Sequence, residues 1–463
     1  MKTATRPPGI LSKPNCEAMR GLARTGNVYE FVREMSREFG DVVSLSPVLY
    51  MFSPSPLIKD ALRNTADFRK SDAIETFKIL VGEGLFTAQG AVYDQQERAV
   101  KSAFGKKYFG VFRRIIEEDV TRCIDERFSR ARADGAPVDI SALSVDLTMS
   151  IAARAFFGVG GETELAREFR KGLVFVQEWF AQMQSAEFAQ PMLDYIEKYY
   201  TPLPVFKSLQ QAIFRGVSGS REMVEAIAAW KAFAEGNDKA ARDTAAAMRA
   251  ICARIIALRR EDSRLDEKND VLSSLLRLQK DPENKWLTDE GIIDQVATFF
   301  VAGHETTSDL FVALLWKHAR GETPAAVVGE LSAAGGMIAE EQFLFQKYPA
   351  TGAYIDQILL EHPLIQLTVR QANRDLEVGG HLIPEDTKVI LAITSAQDVD
   401  VAFGFGRRQC IGRVFALEEA VIGLRHLVRH RLKLEDPFQR PRMTQGLTIG
   451  YSRSPVPILA KAV

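Results

Sequence analysis

The stretch "AFGFGRRQCIGR", Ala402 to Arg413, decides how the rest of the chain is read. Cys410, one of four cysteines in the chain, sits there among glycines and arginines, directly ahead of a helical pattern. A cysteine that only packs has no need of such a setting. Gly404 and Gly406 allow a flat, bulky ligand to approach the backbone, while Arg407 and Arg408 favour ionisation of the thiol. The helix that starts after Gly412 adds its N-terminal dipole to the same effect.

A soft thiolate suits a transition metal, and a thiolate on a loop that runs into a helix N-terminus is a common way to hold haem iron. Zinc fails on ligand count, because no cysteine or histidine stands at ligand spacing from Cys410. A dinucleotide-binding loop fails because Gln409 occupies the place of its third glycine. A free cysteine in a tight turn remains the plain alternative.

Working outward, a second stretch, "FFVAGHETTSDL" from Phe299 to Leu310, lies inside a long helical pattern that opens near Thr288 with Asp289 and Glu290 in its first turn. Thr298, Ala302, Gly303 and Thr306 share one face of that helix. Ala302 and Gly303 remove bulk, so a ligand can press against the backbone, and Glu305 and Thr306 set an acid beside a hydroxyl. A zinc-protease helix is excluded because Ser308 stands where the second histidine is needed. A packing site that tolerates glycine is the structural alternative.

Of the 463 residues 46% are hydrophobic, and 59 basic residues nearly balance 60 acidic ones, for a net charge of -1. The chain can bury a large core and has no global basic field for nucleic acid. Cys16, Cys123, Cys252 and Cys410 fit neither a disulfide framework nor a paired zinc spacing, so a reducing, cytoplasmic setting is expected. The opening "MKTATRPPGILSKPN" carries no apolar run of signal-peptide or membrane-spanning length.

Apolar residues recur at helical spacing through most of the chain, and two stretches, Gly40 to Ser53 and Leu376 to Ile393, read as short hairpins. The expected fold is mainly α with a small β region, in one domain over 1–463 with an inserted helical segment around 216–262. Aromatic runs from Phe175 to Phe188 and from Tyr195 to Phe206 read as core packing before they read as a pocket wall. His426 and His430 stand one helical turn apart beside Arg425 and Arg429, and a solvated basic face accounts for them better than a metal site.

"FGFGRRQCIG" resembles, without a mismatch, the haem-binding signature Phe-x-x-Gly-x-Arg-x-Cys-x-Gly of the cytochrome P-450 haem-thiolate enzymes. "AGHETT", Ala302 to Thr307, is similar to their oxygen-binding helix motif, and the two stretches occur in the family's order. The resemblance runs over nearly the whole chain. It takes in "RPPG" near the start, "FRKS" (Phe68 to Ser71), Gly84 to Phe104, Asp270 to Leu276 and His362 to Val389.

That resemblance implies the cytochrome P-450 fold and haem b, with Cys410 as axial thiolate ligand to the iron. Phe403, Gly406 and Gly412 would shape the ligand loop, Ala302 and Gly303 would flank the haem, and Arg408 and Arg370 would hold its propionates. Thr306 and Glu305 would hold and relay protons for molecular oxygen or peroxide. The implied activity is monooxygenation of a hydrophobic small molecule, in secondary metabolism, with a ferredoxin or flavoprotein as electron donor. A haem protein of the same fold with peroxide-driven, non-redox or purely binding function is the alternative.

Three departures from the family pattern stand out. Gln357 and Leu360 replace the acid and base of the usual Glu-x-x-Arg, and the stretch that brings a partner arginine is missing, since "ILAITSAQDVD" runs almost directly into "VAFGFG". Losing all members of a buried ionic cluster together is far milder than losing one. Even so, weaker support of the cysteine loop and of the donor-docking face is expected. On the helix that faces the haem, Tyr93 and Glu97 occupy the places of the usual Trp and Arg, and Arg98 is the nearest replacement for the lost propionate contact.

Overall fold

The structure, a computed structural model, describes residues 5–9, 18, 28–160, 164–200, 220–441 and 458–462. Cys16, the aromatic run from Tyr195 and the polar stretch from Gly216 fall outside the described side chains. Counting helices of eight residues or more, the order is α1 (Val28–Phe39), α2 (Ser55–Arg63), α3 (Gly90–Lys101), α4 (Phe109–Val120), α5 (Arg127–Asp134) and α6 (Ile140–Phe157). There follow α7 (Glu164–Tyr200), α8 (Ser220–Arg260), α9 (Val271–Gln279), α10 (Asp289–Ala319), α11 (Ala325–Ser332), α12 (Pro349–Glu361) and α13 (Arg413–Leu427).

Helix α10 is the axis of the helical body. The Thr288 hydroxyl caps it by accepting from the Gly291 amide at 3.0 Å, and Asp289 and Glu290 complement the dipole in its first turn. Nearly all of its residues from Ile292 to Trp316 are buried, so it is wrapped on all sides. Helix α6 packs along it, and α8 pairs with α7 across its N-terminal half. Trp179 and Phe180 of the first aromatic run lie in the core. By length and composition α6 also qualifies as a membrane span, but 83% of its apolar window is buried in the protein, where it serves as a core helix.

Among the described residues ten strands form three small sheets. The largest has the order β1-β2-β8-β5-β3, from β1 (Val42–Ser46), β2 (Leu49–Phe52), β3 (Phe68–Lys70), β5 (Thr368–Ala372) and β8 (Lys388–Leu391). The expected hairpin between Gly40 and Ser53 is β1-β2. The expected 376–393 segment supplies the hairpin β6 (Leu376–Val378) and β7 (His381–Ile383), then crosses to β8 in the larger sheet. Strand β3 pairs antiparallel with β5, which sets Lys70 opposite Arg370 across about three hundred residues of sequence. The third sheet joins β4 (Val138–Asp139), β10 (Leu459–Ala462) and β9 (Leu432–Leu434).

Candidate functional site

The ligand loop is shaped by two left-handed glycines, Gly404 and Gly406, each at φ 72°. At Gly406 a side chain is also barred by space, since an added Cβ would sit 3.1 Å from the Arg63 Cα. The Cys410 amide donates to the Phe403 carbonyl at 2.7 Å, and the Arg413 amide to the Cys410 carbonyl at 3.3 Å, which turns the chain into α13. Phe403 is half-buried beneath the Arg413 guanidinium, 5.8 Å from its ring centre.

Cys410 is exposed, whereas Cys123 and Cys252 are buried. Burial nevertheless raises the Cys410 pKa, opposed by the amides of Gly412 and Arg413 and by the Arg413 charge. The thiol is thus accessible on one side while protein crowds it on the others. The charge acting on the thiol is therefore that of Arg413. Arg407 is paired with Asp94 at 2.5 Å, and Arg408 points to the Ala88 carbonyl at 2.8 Å.

Helix α10 has one accessible notch in its buried middle: Ala302 is exposed, and Gly303 and Thr306 are half-buried. The Thr306 hydroxyl donates to the Ala302 carbonyl at 3.0 Å, which leaves its oxygen free to accept from the accessible side. Gly303 plays a different part from the expected one. A Cβ there would meet the Phe156 ring at 2.4 Å, so the glycine admits a side chain of α6. Thr298, on the same face, is covered by the segment around Gly84. Glu305 lies about 100° round the helix from Thr306. It is 3% exposed and accepts from the Gln177 amide of α7.

Arg370 and Arg408 are joined by a residue that the sequence pattern does not single out, Lys70. Burial, then the charges of Arg408 and Arg370, holds the Lys70 pKa well below its ordinary value. Burial and Arg408 lower Arg370 to about 10. No carboxylate figures among the groups that perturb these two, and Nη1 of Arg408 is buried without a hydrogen-bond partner. Buried like charges repel unless an anion sits among them. Two carboxylates of a bound prosthetic group supply that anion, so the residues present fit haem. Tyr93 steadies the group: the Arg408 guanidinium lies 3.8 Å from its ring centre, and its hydroxyl donates to the Arg407 carbonyl at 3.0 Å.

Arg98 stands apart from this group. It is exposed and donates to the Asp94 carbonyl of its own helix at 3.1 Å, whereas the β3-β5 register sets Lys70 opposite Arg370. On α12, Gln357 and Leu360 are exposed, and Gln357 donates to Glu361 at 2.7 Å. From β8 the chain reaches Ala402 through one short helical turn, Ile393–Ala396, and a 3-10 turn, Val399–Val401. His426 and His430 are buried and bonded to Asp125 at 2.6 and 2.8 Å, so they tie α13 to the segment following α4 and do not lie on a solvated face.

A family model described as Cytochrome P450 matches residues 7–401. The chain belongs to the cytochrome P450 family. Haem held by a cysteine thiolate is accordingly its cofactor, and the family supports a monooxygenase. The putative cytochrome P450 135A1 of Mycobacterium tuberculosis is 33% identical over 201 residues, 38% of this chain and 42% of that relative. The match thus spans less than half the length of that mycobacterial relative. Cyclooctatin synthase of Streptomyces melanosporofaciens is 24% identical over 89% of this chain and 88% of its own. The crystal structure of the cytochrome P450DA heme domain superposes with a TM-score of 0.74 at 20% identity, covering 100% of this chain and 98% of that one, which shows the same fold.

Proposed function

We propose that this P450 is a single haem-thiolate domain that oxidises an apolar small molecule, with Cys410 as the iron ligand. The observation that carries the proposal is the basic group of buried Arg370 with half-buried Lys70 and Arg408, whose electrostatics include no carboxylate near Lys70 or Arg370, two residues from an accessible thiol. The name of cyclooctatin synthase supports a substrate from secondary metabolism. When bound, the haem supplies oxygen activation favoured by electron donation from the thiolate.

The protein's own residues do the rest. Lys70, Arg370 and Arg408 bind and orient the propionates. The amides of Gly412 and Arg413 favour the ionised sulfur against the burial that raises its pKa, and Ala302 leaves room beside the helix. Thr306, with its own proton engaged by Ala302, accepts a hydrogen bond on the accessible side and holds a proton there. Glu305 and Gln177 form the buried end of the route by which that proton is replaced.

Thr306→Ala should leave haem content unchanged while diverting reducing equivalents from product into peroxide. Product formation and peroxide release, assayed with reductase systems and with added peroxide, check this, and unchanged coupling removes Thr306 from the mechanism. Oxidation driven by peroxide is the second reading, favoured by the exposed Gln357 and Leu360 and the short approach to Ala402. In that case the peroxide assay outruns every donor system.

Lys70→Met should have different effects on the two forms of the protein. Removing one charge-assisted contact to a propionate weakens haem binding about tenfold to a hundredfold. Without haem the same change relieves repulsion from Arg370 and Arg408, which offsets the lost contact of the ammonium with the Phe86 carbonyl and ring, so the haem-free protein should lose little stability. Haem transfer to an acceptor protein and urea unfolding of the haem-free form read the two effects separately.

A further inference from the structure

The cysteine loop lacks the family's ionic cluster, yet it is fastened from another side. Lys59 of α2 lies 2.8 Å from Asp398 and 2.8 Å from Asp400, and the Ser55 hydroxyl donates to Asp398. Both aspartates stand in the shortened approach to the loop. The Lys59 ammonium also lies 5.1 Å from the ring centre of Phe405, whose other cationic neighbour is Arg63 at 5.0 Å. Gly406 presses against the backbone of that same Arg63. One short helix thus touches the chain at positions 398, 400, 405 and 406. Helix α12, which carries the cluster in the family, turns Gln357 and Leu360 to solvent.

We propose that Lys59 is a positioning residue for the Cys410 ligand: it clamps the approach to the loop through Asp398 and Asp400 and the loop itself through Phe405, in place of the absent ionic cluster. The inference rests on Cys410 being the iron ligand. Lys59 does not touch the thiol. It acts by fixing the path of residues 398–406, and so the point at which the chain turns toward Cys410. Because the clamp is a pair of accessible ion contacts, salt weakens it, unlike a buried cluster.

The test uses haem-loaded protein, reduced under carbon monoxide, in which the thiolate-ligated and neutral-thiol forms have separate Soret bands. Lys59→Met keeps the stem against Phe405 and removes the charge. It should lower the thiolate-to-thiol ratio roughly twofold to tenfold, the range of two accessible ion pairs. Lys59→Arg should restore the ratio. Wild type should lose thiolate form as salt rises, while Lys59→Met should be insensitive to salt. The double change Asp398→Asn with Asp400→Asn should match Lys59→Met and add little to it. Lys78→Met, which breaks contacts to Glu75 and Glu83 on the surface, is the control and should behave as wild type. A wild-type ratio in Lys59→Met at every salt concentration, or an equal loss in Lys78→Met, overturns the clamp. Wild-type protein showing haem but no thiolate band at any salt concentration overturns instead the assignment of Cys410.

Discussion

Cys410→Ala should abolish the strongly red-shifted Soret band of the reduced, carbon monoxide-bound protein, while Cys123→Ala and Cys252→Ala should keep it. The contrast follows from where the thiols sit. Burial pushes Cys123 up to about 11 and Cys252 up to about 12, with no accessible face for a metal in either case. Cys410 is exposed, and the amides of Gly412 and Arg413 and the Arg413 charge favour its ionised sulfur. Those groups offset part of the desolvation penalty, and only in the ionised form, which is the form that ligates iron. The effect is all or none, because alanine offers no donor atom. Some haem should remain in the variant, held by Lys70, Arg370 and Arg408, so lost thiolate ligation and lost haem are separable in one spectrum. Retention of the red-shifted band in Cys410→Ala would place the ligand elsewhere.

The sequence made the two ends of the site legible for a local reason. A cysteine loop with two left-handed glycines, and a helix with small residues and a hydroxyl on one face, are patterns that lie within a dozen residues. Contacts made between distant segments were not legible. Lys70 meets Arg370 only through the register of β3 on β5, and nothing in "FRKS" announces that partner. Arg407, Arg408 and Arg413 look alike in sequence, but the turn around Gly406 sends the first to Asp94, the second to Ala88 and Tyr93, and the third toward Cys410. Gly303 reads equally well as room for a ligand or for a neighbouring side chain, and only the crossing of α6 decides for Phe156. Arg98 stands one residue from the position of the family arginine in sequence, yet α3 turns its side chain to an exposed face.

Helix α13 itself carries a buried ion pair, and breaking it should give a large loss of stability. Arg113 of α4 is fully buried and donates to both carboxylate oxygens of Glu418 on α13, at 3.0 Å for Nη2 to Oε1. Its remaining donors reach the carbonyls of Glu340 and Gln342, at 2.9 Å for the latter, while Glu418 also accepts from the Leu344 amide at 2.8 Å. Arg113→Leu strands a carboxylate that is 3% exposed, and the expected loss is about 3–5 kcal/mol. Arg113→Leu combined with Glu418→Leu removes both charges beside a cavity lined by Phe104, Phe112, Ile411 and Phe415, and should recover most of that loss. Urea unfolding of the two variants measures the difference. The chemistry should respond as well, because α13 begins at Arg413, whose amide binds the Cys410 carbonyl and favours the ionised thiol. In Arg113→Leu the thiolate band should therefore give way to the neutral-thiol band at urea concentrations below the main unfolding transition. Equal unfolding midpoints for the single and double variants would show that lost packing, and not the stranded charge, sets the cost.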